Sequence, residues 1–421
     1  MLIKNALVIS PADQIHEKYD VRCENGQIKE LGGLAPLPAE EVLDAEGLVL
    51  VPGLCDTHVH FRDPGQTWKE DIHTGASAAA AGGFTSVVCM ANTVPVTDST
   101  EVLRDTLERA VWEKIRIYQA AAVSVGFKGI QLTDMEALKD AGAAGFTDDG
   151  IPLTDPDFVR RAMKEAARLH LPISLHEEDP ALISENGINA GSAAAAALSL
   201  TGAPAAAEER LVERDCALAL ETGACVVIQH VSSGGSVDII RKYKVLGANL
   251  HAEATPHHFS LTEDAVLQFG TNAKMNPPLR TEADRQKILE GLADGTLDLI
   301  ATDHAPHAAE EKARPFTKAP SGIIGLETSL ALAVTNLVKT GILSMDELVM
   351  KMAVNPRRLY GLCGGNIAPG EPADITLIDP DLVWTPEIYH SKSSNSPFTG
   401  MQLTGRAVFT VCGGRIIYSW I

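Results

Sequence analysis

No CxxC pair occurs in the sequence, and its seven cysteines (Cys23, Cys55, Cys89, Cys216, Cys225, Cys363 and Cys412) are odd in number and scattered. That pattern excludes a disulfide framework and a zinc–thiolate cluster, and it implies reduced, mostly buried thiols. An uninterrupted apolar run of about 18 residues, the length a membrane helix needs, is also missing. The strand-like opening segment Met1 to Ser10 has no long apolar stretch of the kind a secretory signal carries, so a cytoplasmic chain is expected. Positive charge is scarce: 35 Lys and Arg stand against 55 Asp and Glu, a formal net charge of -20. An acidic body repels nucleic acid and anionic membrane surfaces, so neither is an expected partner, and an anionic substrate would need local cations to hold it.

What is present describes a folded chain with a large core: 45% hydrophobic and 21% charged residues in 421. Short β-rich segments with turn residues occupy both ends, Leu2 to Ser10 and Gly47 to Val51, then Asp374 to Ile378 and Ala407 to Tyr418. Between them, apolar runs of strand length alternate with helical stretches, the pattern of parallel βαβ units. Eight candidate strands can be placed: Leu54 to Phe61, Thr85 to Met90, Arg116 to Ala122, Ala143 to Thr147, Ile173 to His176, Cys225 to His230, Asn249 to Ala254 and Asp298 to Asp303. Helical connections separate them, such as Ala205 to Thr222, which stops at Gly223. Eight strands suit an α/β (β/α)8 TIM barrel. The expected organisation is residues 53–364 as the barrel, with 1–52 and 365–421 joining as a small β-sandwich domain.

Most of these apolar strands end in a polar or metal-binding residue: His58 and His60, Asn92, Asp148 and Asp149, His176, His230, and Asp303. On a (β/α)8 barrel, strand ends distant in sequence converge on the C-terminal face, where active sites are built. In Asp56-Thr57-His58-Val59-His60 the period-two alternation of a strand points both imidazoles one way, spaced to share a cation. Two such histidines can also serve as hydrogen-bonding core residues, the lesser reading for a pair, whereas a lone His176 or His230 more often does. The additional strand-end ligands favour a metal site. Nitrogen and carboxylate ligands without sulfur suit zinc or another borderline divalent ion.

These residues resemble the amidohydrolase superfamily and, within it, the class I dihydroorotases, over essentially the entire chain. The resemblance rests on Pro52-Gly53 through His58-Val59-His60-Phe61-Arg62-Asp63-Pro64-Gly65, Met90-Ala91-Asn92-Thr93, Gly145 through Gly150, Lys274-Met275-Asn276-Pro277-Pro278-Leu279-Arg280 and Ala301 through His307. It implies that His58, His60 and Asp303 bind a first metal, His176 and His230 a second, and one carboxylate bridges them. Many superfamily members bridge with a carboxylated lysine. The fourth strand here has no lysine after Lys139, and Asp148-Asp149 stands in its place. Strand parity does not choose between the two acids; the family pattern selects Asp149, with Asp148 the alternative. One or two zinc ions per subunit are implied, with two preferred.

The resemblance further implies that Arg62, Asn92 and His307 hold a substrate carboxylate, that Asn276 contacts the ring, and that backbone groups around Gly322 face the substrate. A guanidinium two residues beyond the histidine pair reaches the same barrel mouth and matches a carboxylate bidentately. The polar loop Ala308 to Ser321 either covers the substrate or is solvated surface, and His257 and His258 receive no role. The implied activity is zinc-dependent, reversible cyclisation of N-carbamoyl-L-aspartate to L-dihydroorotate in UMP biosynthesis. Metal-bound hydroxide would be the nucleophile and Asp303 the general acid and base. A homodimer and a complex with aspartate carbamoyltransferase are implied partners. The rivals are another cyclic amidohydrolase (hydantoinase, dihydropyrimidinase or allantoinase), which has no use for the Arg62 cluster, and a non-catalytic scaffold for the carbamoyltransferase, which would lack ligands.

Overall fold

The computed structural model describes residues 1–420. Eight parallel strands form the barrel: Leu54–Val59, Phe84–Cys89 and Arg116–Gln119 make one sheet, and Phe146–Thr147, Ile173–Leu175, Val226–Ile228, Leu250–Ala254 and Leu299–Ile300 make another. Parallel bridges at Ala121 and Phe146, and at Val59 and His304, join the two sheets edge to edge, so the cylinder closes. All eight sequence-predicted strands are present. Their hydrogen-bonded ladders stop one to three residues short of His176, His230 and Asp303, because the chain turns outward there. His230 and Asp303 adopt left-handed backbone (φ 34° and 48°), as does Arg62 (φ 57°). Bulky residues rarely hold that conformation unless their surroundings enforce it, and such positions concentrate at functional sites.

The helices form for local reasons. Pro156–Leu169 begins with an Asp155 cap and a proline in its first turn, and buries Phe158, Val159, Ala162, Met163, Ala166 and Leu169 at three- and four-residue spacing. Ala205–Thr222 ends as expected on Gly223 in left-handed conformation. In the Asp63-Pro64-Gly65 turn, Gly65 has φ 98° and a Cβ there would stand 2.0 Å from the Val94 carbonyl oxygen, so no other residue fits.

The two ends of the chain meet in one eight-stranded mixed sheet, in which Val49–Pro52 pairs antiparallel with Ile375–Trp384. Ile15–Glu24, Gln27–Gly32 and Val42–Asp44 add strands that the sequence pattern did not announce. The sheet curls until the Gly26 turn meets the C-terminal segment, with Ala373 N donating to Gly26 O (2.9 Å) and Gln27 bridging Pro372, and its strands share one core that includes Ile3, Val8, Ile28, Leu50, Ile375 and Val411. This core is separate from that of the barrel. The terminal sheet docks at the N-terminal ends of the first two barrel strands, through Gly53 N to Asp374 O (2.9 Å) and Thr376 Oγ1 to Gly83 O (2.6 Å). The opposite face stays open for the site.

Arg357 locks this junction. It is fully buried and donates to Gly53 O (2.6 Å), Ala353 O (3.0 Å), Cys363 O (3.1 Å), Thr85 Oγ1 (2.9 Å) and Ser86 Oγ (3.1 Å). Replacing it strands several buried acceptors, each costing about 1–3 kcal/mol. Arg357→Met is therefore expected to destabilise the protein by about 3 kcal/mol or more, read as a lowered urea midpoint; an unchanged midpoint contradicts the lock. No cysteine is paired among the described residues, and only Cys363 is exposed. Among the described residues no helix is long and apolar enough to cross a membrane.

Candidate metal centre

At the C-terminal mouth, Asp149 lies at the centre of four imidazoles. Its Oδ1 is 3.4 Å from His58 Nε2, 3.8 Å from His176 Nδ1 and 3.7 Å from His230 Nε2, while Oδ2 is 3.5 Å from His60 Nε2. Asp303 Oδ1 completes the group, 3.1 Å from His60 Nε2 and 3.6 Å from His58 Nε2. Two overlapping sets with metal-ligand spacing result: His58, His60 and Asp149, and Asp149, His176 and His230. Ligand atoms on a tetrahedral ion bound at about 2.0–2.1 Å stand roughly 3.3 Å apart, close to most of these separations. His58 Nε2 is buried with no hydrogen-bond partner, a cost that a cation would remove. The donors therefore fit divalent metal.

The electrostatics agree with that fit. Burial works against ionisation of Asp149, but the His58 charge and the adjacent His176 and His230 imidazoles outweigh it and hold the carboxyl well below its usual range. Burial likewise opposes ionisation of Asp303, and the hydrogen bond from His60 with the fields of His58, His60 and His230 keeps it low. Asp148 faces away. Its carboxylate accepts from Val123 N (2.7 Å), Ser124 N (3.1 Å) and the Ser124 hydroxyl, and burial pushes its pKa up to about 6 despite those bonds. The turn after Thr147 separates the two acids: Asp149 joins the histidines while Asp148 braces the neighbouring loop.

A cavity of about 300 Å³ opens onto this cluster, at the small end of ligand sites. It is lined by Arg62, Asn92, Asn276, His307 and Gly322 together with His60, Asp149, His176, His230 and Asp303, so the predicted substrate groups and every predicted metal ligand but His58 share one space. Arg62 spends Nε on Pro306 O (3.3 Å), and its Nη2 lies 3.5 Å from His307 Nε2. Asn92 has a further set of contacts. Its Oδ1 lies 2.8 Å from His60 Nδ1 and its Nδ2 donates to Asp149 Oδ2 (3.0 Å), so it braces two candidate ligands. The Asn276–Pro277 peptide is cis. His307 donates from Nε2 to Ser321 O (2.8 Å), and burial with the charges of Arg62, Lys69 and Lys312 pushes the imidazole down to about 2, leaving it neutral.

The 308–321 loop is largely exposed but tethered from beneath. Lys312 is buried and donates to Pro320 O (3.0 Å) and Gly322 O (2.9 Å), and Lys274 donates to Phe316 O (2.7 Å) and Ala319 O (2.8 Å). Burial and the nearby Lys274 charge push the Lys312 ammonium down to about 7. Asn395 is a further support. It accepts from His307 N (3.1 Å) and donates to Ala305 O and Gly322 O (both 3.1 Å), and its Ser/Asn-rich surroundings carry no signal beyond a loop. His258 bonds Thr255 Oγ1 (2.7 Å) and Pro277 O (3.1 Å), which fixes the Asn276 loop to the seventh strand.

Comparison with known proteins places this arrangement. Along its full length the chain is 54% identical to the dihydroorotase of Clostridioides difficile (strain 630), with 100% of each chain covered. The chain belongs to the dihydroorotase family. The dihydroorotase of Clostridium acetobutylicum is 50% identical with 99% of each chain covered, and the family model described as Dihydro-orotase-like matches residues 47–236. Among solved structures, L-hydantoinase (dihydropyrimidinase) from Arthrobacter aurescens superposes with a TM-score of 0.90 at 25% identity, covering 99% of this chain and 96% of that one. Dihydroorotases and hydantoinases thus share this barrel, and what separates them must lie in the groups lining the cavity.

Proposed function

We propose that the chain is a metal-dependent dihydroorotase, a cyclic amide hydrolase that interconverts N-carbamoyl-L-aspartate and L-dihydroorotate in pyrimidine biosynthesis. The observation that carries the reading is the Arg62 guanidinium facing the same small cavity as an Asp149 carboxylate shared between two histidine pairs. His58, His60 and Asp303 would hold one zinc ion, His176 and His230 a second, and Asp149 would bridge them. Bound zinc supplies a lowered water pKa, near 7, and polarises a carbonyl oxygen.

The chain's own residues do the rest. Arg62 takes the substrate carboxylate, with Asn92 and His307 beside it, and this orients the ring amide toward the metal cluster. Asn276 contacts the ring and Gly322 offers backbone groups at the rim. Asp303 starts ionised, accepts the proton of the attacking water, and returns it to the ring nitrogen as the amide bond opens. Ring closure reverses these transfers. Residues 53–364 form the catalytic unit, 1–52 and 365–421 the supporting β-domain, and a cytoplasmic homodimer able to bind aspartate carbamoyltransferase is the assembly in which we place it. The net charge of -20 speaks against nucleic acid or membranes as partners.

A side-by-side assay of the zinc-loaded protein on dihydroorotate, hydantoin, dihydrouracil and allantoin tests this reading. Dihydroorotate should be preferred by about 100-fold or more in kcat/KM, because a site built around a buried cation rejects analogues without its partner. A preference for hydantoin or dihydrouracil overturns the assignment. Lys312→Met keeps the stem but removes both donors to the rim carbonyls. KM for dihydroorotate should rise about tenfold, the equivalent of about 1.5 kcal/mol for a charged hydrogen bond, with kcat changed less. An unchanged KM would exclude a role for the tethered loop in substrate binding.

A further inference from the structure

Two buried glutamates at the mouth have no role in the scheme above. Glu253, on the seventh strand, is wholly buried, with Oε2 3.0 Å from His58 Nδ1 and Oε1 accepting from Thr57 Oγ1 (3.1 Å); Oε2 also accepts weakly from the His230 backbone N–H (3.4 Å) but does not touch that imidazole. Glu178, three residues past the end of the fifth strand, is buried with Oε2 2.9 Å from His176 Nε2. In each case the ring nitrogen concerned is the one turned away from Asp149, since His58 approaches Asp149 with Nε2 and His176 with Nδ1. A neutral imidazole that gives one nitrogen's lone pair to a cation carries its proton on the other. An anionic acceptor at that proton fixes the tautomer and ring plane and makes the donor nitrogen more basic.

The remaining two histidines are backed differently. His60 Nδ1 meets the uncharged Asn92 Oδ1 at 2.8 Å, and His230 Nδ1 has no hydrogen-bond partner among the described residues. Each candidate metal set thus contains one histidine backed by a carboxylate and one that is not. We infer that Glu253 and Glu178 are positioning residues that separately set the cation affinity of the two sets, Glu253 for the one built on His58 and His60, Glu178 for the one built on His176 and His230. A buried carboxylate needs a strong donor to offset its desolvation, and a cation-polarised ring N–H is such a donor. This inference rests on the metal reading of the proposed function.

Zinc titrated into the metal-free protein against a chromophoric chelator, followed by the d–d absorption of the cobalt-substituted protein, provides the test. Glu253→Ala should weaken one zinc equivalent about 10–100-fold and leave the other unchanged, and Glu178→Ala should do the same to the other equivalent. The double variant should weaken both, and each single variant should alter a different part of the cobalt spectrum. Glu253→Gln and Glu178→Gln preserve volume and an acceptor for the ring proton, so they keep the fold and should fall between the alanine variants and the parent. Parent affinities in both alanine variants, equal loss in the glutamine and alanine variants, or one variant weakening both equivalents alike overturns the inference. A parent protein that binds no zinc sinks the metal reading itself, whereas two parental equivalents with unshifted variants sink only the role of the glutamates.

Discussion

Asp303→Asn, compared with the parent at full zinc loading, is expected to lower kcat by about 10²–10⁴-fold, the range for removing a general acid–base group, while leaving the fold intact. The asparagine oxygen can keep the 3.1 Å contact with His60 Nε2, so the geometry survives. What disappears is a group able to take a proton and give it back. The environment of Asp303 suits that task, because the surrounding imidazoles outweigh its burial and keep it ionised at neutral pH. Its left-handed backbone aims the carboxylate into the cavity instead of along the strand. Turnover near that of the parent in a variant with normal zinc content would rule out proton transfer through Asp303.

The parts of the fold and site that could be read from the sequence are those whose residue types are conspicuous against an apolar strand. His58, His60, His176, His230 and Asp303 interrupt runs of Val, Ile, Leu and Ala, and the barrel brings their positions together once eight strands are counted. The choice between Asp148 and Asp149 could not be read, because it depends on the turn after Thr147, where strand periodicity ends. Glu253 was hidden for a related reason: in Leu250-His251-Ala252-Glu253-Ala254 a charged residue reads as a solvent-facing position, yet both faces of a barrel strand are covered. The tethering of 308–321 was equally illegible. A stretch rich in Glu, Lys and Pro has the composition of solvated surface, and only the folded chain shows Lys312 directed inward onto carbonyls. Asn395 lies 88 residues along the chain from His307, a separation that no local pattern spans.

Arg62→Ala is expected to lower kcat/KM for dihydroorotate by about 10²–10³-fold, from the roughly 3–4 kcal/mol that follows loss of one partner of a buried, hydrogen-bonded charge pair. Activity on dihydrouracil, which has no carboxylate, should change little, so the preference between the two substrates collapses. The neighbouring polar groups are already engaged. In this structure His307 Nε2 is committed to Ser321 O and Asn92 to His60 and Asp149, whereas Arg62 gives Nε to Pro306 O and has only a 3.5 Å contact from Nη2 to His307 Nε2, so of the three it keeps the most donor capacity for a substrate carboxylate. Lys69 is a nearby cation, but it is paired with Glu311 at 3.1 Å. Removing Arg62 also lifts one of the charges that, with burial, hold His307 neutral, so the imidazole pKa should rise toward its ordinary value and give partial compensation at acidic pH. Arg62→Lys restores the charge without the planar fork and should recover only part of the loss. Steady-state kinetics of the three proteins on both substrates decide the matter: an Arg62→Ala enzyme that still prefers dihydroorotate over dihydrouracil by the parental ratio would place carboxylate recognition elsewhere in the cavity.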